Sequence, residues 1–403
     1  MDLSTGYMGL ALRNPLVASP SPLSHTLDGI RRLADGGVSA IVMFSLFEEQ
    51  LRERAERTYR LVDEPAESFP EALGYFPSVA DEDVGPRDDL DLLERAVSAV
   101  DIPVIASLNG ITPESWTGYA RAMQDAGAAA IELNIYYFPA DPEISGPDVE
   151  QRHVDVFQRV KAAVTVPVAV KLKPYFSSPG AIALRLDEAG ADGLVLFNRF
   201  LYPDIDLERL AVRPMVDLSS PADARVPRTW IALLRGKVRA SLAATIGVEV
   251  PADLARYLLA GADVVMTTSA LLRHGPRYAT ELLDGLSSWM RHKGFQTVDE
   301  LRGKLSAPDI TDHAAYERRL RHSDASRQRR RLRPLVNESA ARDDDLEPAK
   351  QRRESSVDLR PVALVAKSRG PRHASTVAGM PAFRPVPATG APHPQAAQPR
   401  QRQ

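Results

Sequence analysis

AGADGLVLFN, residues 189–198, sets a small-residue stop directly against an apolar run that ends in asparagine. Glycine suits the left-handed residue that closes a helix, and an apolar run without alternation suits a strand buried on both faces. The signature recurs as DGGVSAIVMFS (35–45), AGAAAIELN (126–134) and AGADVVMTTS (260–269). Two more runs, VDIPVIASLN (100–109) and VTVPVAVKLK (164–173), place proline ahead of apolar residues, where a strand begins. With NPLVASP (14–20) and ASLAATIG (240–247) these make eight strands. Helical segments at 27–35, 89–99, 115–126, 150–163, 179–189 and 252–260 separate most of them. Eight βα units within about 300 residues predict an α/β fold, a (β/α)8 TIM barrel. A doubly wound dinucleotide fold is the weaker alternative, because no G-x-G-x-x-G turn follows an early strand.

Outward from the strands, two connections exceed ordinary loops: 46–88 after strand two and 199–239 after strand six. Both begin at strand C-terminal ends, where barrels place their chemistry, and are expected to form a lid and pocket walls. At 403 residues and 44% hydrophobic, the chain supports a large core, which excludes a wholly disordered protein. It has no cysteine, so disulfides, thiolate metal sites, an iron–sulfur cluster carried by this chain and a cysteine nucleophile or base are excluded. The net charge of −3 hides an asymmetry: residues 306–403 hold 19 Lys and Arg against 11 Asp and Glu, leaving 31 against 42 before them. The expected organisation is a barrel over 1–305, a short helical linker over 306–324 and a disordered basic Pro/Ala/Arg-rich tail over 325–403. The tail's cluster from Arg327 to Arg333 offers contact to an acidic partner or nucleic acid; a solvated tail is the plainer reading. No apolar run is long enough for a bilayer, and MDLSTGYMGLALRNP lacks a basic region followed by an apolar one, so a cytoplasmic location is expected.

The residues at the strand ends form the expected mouth. They are Ala18, Ser19, Phe44, Ser45, Ser107, Asn109, Asn134, Lys171, Lys173, Asn198, Thr245, Gly247, Thr268 and Ser269. Amides, hydroxyls and ammonium groups dominate, which argues against a divalent metal and against a two-carboxylate glycosidase. Glu132 lies two residues before Asn134, one layer deeper. Neutral donors with a lysine suit a polar aromatic cofactor carrying a phosphate. ATIGV (244–248) and TTSAL (267–271) supply small residues and hydroxyls at helix starts, which favour an anion and equally make ordinary caps. Lys171 has two readings: it meets an anion such as a reduced flavin, or it bridges to Glu132 on the neighbouring strand.

YMGLALRNPLVASP, SLFEEQ, ELNIYY, VAVKLKPYF, DGLVLFNRF, PDIDLE, LLAGADVVMTTSALLRHGP and GFQTVDELRGKL occur in that order across residues 3–305. In order and spacing the chain resembles the class 1 dihydroorotate dehydrogenases, FMN-dependent barrels. The resemblance implies FMN as cofactor, with Ala18 and Ser19 at the ring edges, Ser45 and Asn109 in the cofactor site, and Lys171 at the flavin N1/O2 side. It implies Asn134 serving flavin and substrate, Asn198 meeting the substrate, and Gly247, Thr268 and Ser269 around the phosphate. The implied reaction is hydride transfer between a small cyclic or unsaturated metabolite, dihydroorotate or an analogue, and the flavin, as in pyrimidine biosynthesis. A homodimer and a separate electron acceptor are implied with it.

The chain departs from the family pattern in places. Where the family has a cysteine or serine base after ELN, this sequence reads Ile135, Tyr136, Tyr137, Phe138, Pro139, which leaves Tyr137 as the candidate base. Phe44 stands where a lysine is expected, and SFPEALGYFPSV (68–79) replaces an asparagine-rich substrate loop. Ile246-Gly247 replaces Gly-Gly, and Thr268-Ser269 replaces Gly-Thr. These departures motivate a second reading, a catalytically degenerate barrel acting as a scaffold or binding module. A third is a phosphate-binding aldolase in which Lys171 forms a Schiff base.

Overall fold

The computed structural model describes residues 1–47, 87–109, 113–135, 137, 139, 141–198, 202–215 and 218–307. Within them, eight parallel strands close into a barrel: Leu16–Ala18, Ala40–Val42, Val104–Asn109, Ala130–Asn134, Val168–Leu172, Gly193–Leu196, Ser241–Ala244 and Val264–Thr267. The last pairs with the first, Val265 opposite Leu16 and Thr267 opposite Ala18, which closes the ring. Each falls inside a stretch named from the sequence. The second strand resumes at Leu46–Phe47 beside the end of the third.

Alternation within the strands divides the core in two. Leu16, Ala18, Ile41, Leu133, Val170, Leu194 and Val265 belong to one apolar cluster with helix residues such as Trp116, Phe157, Ile182 and Leu258. Val17, Ala40, Val42, Ile105, Ala130, Ala169, Val195, Ala243, Val264 and Met266 form the other, with Tyr7, Met8 and Leu12. Side chains of successive residues leave opposite faces of a strand, so a barrel wrapped in helices needs apolar residues at both parities. That requirement is why the strands read as unbroken apolar runs.

The helices Leu27–Asp35, Arg87–Ala99, Pro113–Asp125, Gly146–Ala163, Pro179–Glu188, Arg225–Leu234 and Pro251–Ala260 lie between successive strands, and Tyr278–Lys293 follows the eighth. The glycine ending the helix in each repeated signature holds positive φ, from +90° at Gly127 to +121° at Gly261. Two residues further on, Ser39, Ala129, Asp192 and Asp263 each donate a backbone N–H to the start of the preceding strand, at 2.8–3.1 Å. Where that residue is aspartate the bond is returned: Val168 N–H donates to Asp192 Oδ2 at 2.7 Å, and Leu242 N–H to Asp263 Oδ2 at 2.8 Å.

An antiparallel hairpin, Thr5–Tyr7 with Leu10–Leu12, covers the barrel floor. The Thr5 hydroxyl donates to Asp263 O at 3.0 Å and Met8 N–H to Ser241 Oγ at 3.0 Å, both at strand starts. Asp2 is bonded to Gln296 and Val298, so the first residues meet the last described segment on this face.

The connection after strand six carries a second hairpin, Tyr202–Asp206 with Ala211–Met215, and a 3-10 turn at Pro221–Ala224 that leads into its helix. Of the connection after strand two, residues 48–86 lie outside the described residues, as do 308–403, which hold the expected tail and most of the expected linker. No helix among the described residues is long and apolar enough to cross a membrane.

Candidate active site

A cavity of about 320 Å³ opens at the C-terminal mouth of the barrel. Ser19 from strand one, Phe44 after strand two, Lys171 from strand five, Asn198 after strand six, Ile246 and Gly247 after strand seven, and Thr268 and Ser269 after strand eight line it. Residues far apart in the chain therefore converge because each ends a parallel strand.

Lys171 sits on the floor of this cavity, only 7% exposed. Its Nζ donates to Glu132 Oε1 at 3.0 Å and reaches Ser19 Oγ at 3.5 Å. Glu132 is 1% exposed and points inward from strand four. Of the two sequence readings of Lys171, the structure shows the bridge to Glu132, and it also places Lys171 in the cavity lining.

Eight of the residues expected at the mouth, Ser19, Phe44, Lys171, Asn198, Thr245, Gly247, Thr268 and Ser269, line this cavity. Asn134 stands behind Asn198 and accepts its Nδ2–H on Oδ1 at 2.8 Å. Ser45 is buried with its Oγ 2.8 Å from that of Ser107. Asn109 is buried at the end of strand three, opposite Asn134 in register. Ala18 packs in the helix-facing cluster, and its neighbour Ser19 supplies the cavity wall. Tyr137 is half-buried beneath the guanidinium of Arg152, 4.2 Å from its ring, and its carbonyl accepts from the Lys173 ammonium. Burial pushes the Lys173 amine down to about 8.

The turn after strand seven carries the tightest geometry. Ile246 holds φ +73° and Gly247 φ +69°. A Cβ on Gly247 would lie 2.7 Å from Ser220 O and 2.8 Å from Ala224, so only glycine fits. A β-branched residue at positive φ is strained, and Ile246 holds this conformation at the position where the resemblance implies a second glycine. Tyr257 holds it there, with its hydroxyl 2.7 Å from Ile246 O and 3.0 Å from Thr245 O. Burial pushes that phenol well above its ordinary range, so it remains a donor.

Ser219 was not singled out from the sequence. Its Oγ accepts from Gly247 N–H at 3.1 Å and lies 3.0 Å from Ser269 Oγ, which also accepts from Ser219 N–H. It ties the long connection after strand six to the turns after strands seven and eight. The available signal was the Ser-Ser-Pro sequence at 219–221, which opens a capped turn through Ser220 and Asp223.

A sequence profile of the family described as dihydroorotate dehydrogenase matches residues 61–290, more than half of the 403-residue chain. The chain belongs to the dihydroorotate dehydrogenase family. It is 27% identical over 317 residues to the catalytic subunit of dihydroorotate dehydrogenase B (NAD(+)) from Methanothermobacter thermautotrophicus, covering 75% of this chain and 97% of that protein. It is 26% identical over 319 residues to the NAD-dependent dihydropyrimidine dehydrogenase subunit PreA of Escherichia coli, covering 75% and 76%. The dihydroorotate dehydrogenase B catalytic subunit of Pyrococcus abyssi is 26% identical over 311 residues, covering 75% and 98%. The barrel is thus one of the dihydroorotate dehydrogenase-like oxidoreductases.

For a member of this family the donor set fits FMN. The cavity falls in the roughly 300–1,000 Å³ range of small-molecule sites, with a cation at one end and hydroxyls with a left-handed backbone turn at the other. Leu218, Ile246, Val248, Met266 and Leu272 supply apolar wall for a flat ring.

Proposed function

We propose that the chain is an FMN-dependent oxidoreductase moving hydride between flavin and a small cyclic or unsaturated metabolite, dihydroorotate or a related dihydropyrimidine. The convergence of Lys171, Asn198 and the Gly247, Thr268 and Ser269 cradle on one cavity carries this reading. FMN would supply a reversible two-electron acceptor. Gly247, Thr268, Ser269 and the strand-seven turn would hold its phosphate, and Lys171 and Ser19 would meet the ring. The Lys171 ammonium stabilises negative charge that develops beside it, and acts strongly because the floor excludes water. The bonded carboxamides of Asn134 and Asn198 offer one donor and one acceptor edge, suited to orienting a cyclic amide.

Tyr137, which stands in the sequence where the family carries its base, is the proposed proton acceptor; the Arg152 guanidinium 4.2 Å from its ring supports this reading. Tyr137→Phe is expected to lower kcat at least tenfold while flavin affinity stays unchanged, checked by anaerobic reduction kinetics and fluorescence titration. The relatives' names include subunits, which supports an acceptor delivered by a partner subunit. The exposed apolar residues of the second hairpin support a homodimer.

The deciding experiment is flavin extraction followed by anaerobic mixing with dihydroorotate and other dihydropyrimidines. A yellow protein whose absorbance bleaches on mixing is the expected result. A colourless protein that ignores added FMN overturns the reading, and bound flavin that no metabolite reduces favours the scaffold instead.

A further inference from the structure

Two buried polar atoms in the barrel interior have no hydrogen-bond partner among the described residues, Glu132 Oε2 and the Tyr7 hydroxyl. The Tyr7 phenol is pushed well above its ordinary range by burial and by the negative charges of Glu132 and Asp263. A charged side chain is seldom left on a barrel axis with one of its two oxygens unused, because its desolvation is repaid only by pairing. Among the described residues, the ion pair of this carboxylate is with Lys171, on the floor of the cavity.

We propose that Glu132 is a positioning residue for Lys171: its carboxylate pins the ammonium at the cavity floor and tempers the positive field that a bound ligand meets. The role follows from register. Asn134 lies opposite Lys171, and Glu132 opposite Ala169, so Glu132 stands one inward layer beneath the lysine on the neighbouring strand. From there its Oε1 holds Nζ at 3.0 Å, and Ser19 Oγ, just past the first strand, lies 3.5 Å from the same nitrogen. A ligand above the floor meets the positive end of a buried dipole rather than an isolated cation. Lys173 gives an internal comparison. That equally covered ammonium meets the Tyr137 carbonyl, whereas the Lys171 ammonium is held by a carboxylate. Glu132 therefore governs where the Lys171 charge sits and how strongly it is felt.

The proposal rests on the flavin reading, and the test separates the two. On FMN-loaded protein at pH 6.5, Glu132→Gln keeps the hydrogen-bonding shape and removes the negative charge. The flavin should then become easier to reduce, with at least a tenfold rise in the reduced-to-oxidised ratio at fixed potential, or about 30 mV for a two-electron couple. Glu132→Asp, which keeps the charge but withdraws it, should give a smaller shift of the same sign and serves if the Gln variant does not fold. Flavin that binds both proteins with a ratio changed less than twofold overturns the proposal.

If no form of the protein binds FMN, the oxidoreductase reading falls. Reductive methylation at pH 9, with Lys171 followed by peptide mass spectrometry, then decides the present one. Methylation at least threefold faster at Lys171 in the variant, with other lysines unchanged, sustains the pinning role, and equal rates overturn it.

Discussion

Ile246 and Gly247 share one backbone conformation, and only one of them is suited to it. A left-handed non-glycine residue costs on the order of 1–2 kcal/mol. The Tyr257 hydroxyl on the two preceding carbonyls is what the structure offers against that cost. Gly247→Ala would add the same strain and force a Cβ against backbone at 2.7 Å. We expect a loss of about 2–4 kcal/mol, measured by urea unfolding, together with weaker FMN binding. Tyr257→Phe should cost about 1–3 kcal/mol, because it removes a buried donor from two carbonyls. Neither effect was visible in the sequence beyond the Ile-for-Gly exchange. The compensating tyrosine lies eleven residues downstream of Ile246 on a helix, at a spacing that no local motif records.

At the scale of elements, the repeated signature was legible because one physical task recurs around the ring. A helix must stop, reverse and enter a strand buried on both sides, which leaves little choice beyond a positive-φ glycine and an apolar run. The reciprocal Asp192–Val168 and Asp263–Leu242 bonds follow from the same repeat, yet the sequence did not announce them, since Ser39 and Ala129 fill the equivalent position. Ser219 and the partner of Lys171 were harder to read. Ser219 lies in an irregular connection, and the Glu132–Lys171 pair was one of two open readings until the barrel brought Lys171 Nζ within 3.0 Å of Glu132 Oε1.

The helix Gly146–Ala163 adds a pH dependence of its own. His153 is buried against Phe176, and burial pushes its imidazole down to about 4, only partly opposed by its bond to Val149 O. The unfolded chain takes up the proton near 6.5 and the folded one near 4, so folding stability is full above 6.5 and falls as pH drops through that window. The loss approaches about 3 kcal/mol at the acid end. Thermal melts at pH 7 and pH 5 should show a larger drop for the wild-type protein than for His153→Leu.

For the molecule as a whole, every barrel strand and its covering helices lie within residues 1–307. A chain ending at residue 310 should therefore keep its melting temperature within a few degrees and its FMN affinity within twofold, read by calorimetry and flavin fluorescence. The hairpin after strand six leaves Ile205, Leu207, Leu210 and Val212 between 66% and 86% exposed, an apolar cluster unlike the rest of the described surface. Leu207→Asp with Leu210→Asp should shift sedimentation toward the monomer if the hairpin forms the dimer contact; an unchanged profile would place the contact elsewhere.

The join between Asp2 and the segment around Gln296, beneath the barrel, also has a practical side. A biotin or surface tether grafted onto the first residue would emerge from the face opposite the cavity. Molecules immobilised that way would all stand mouth outward, open to the bulk solution, whereas attachment through scattered lysines would leave them lying at random angles.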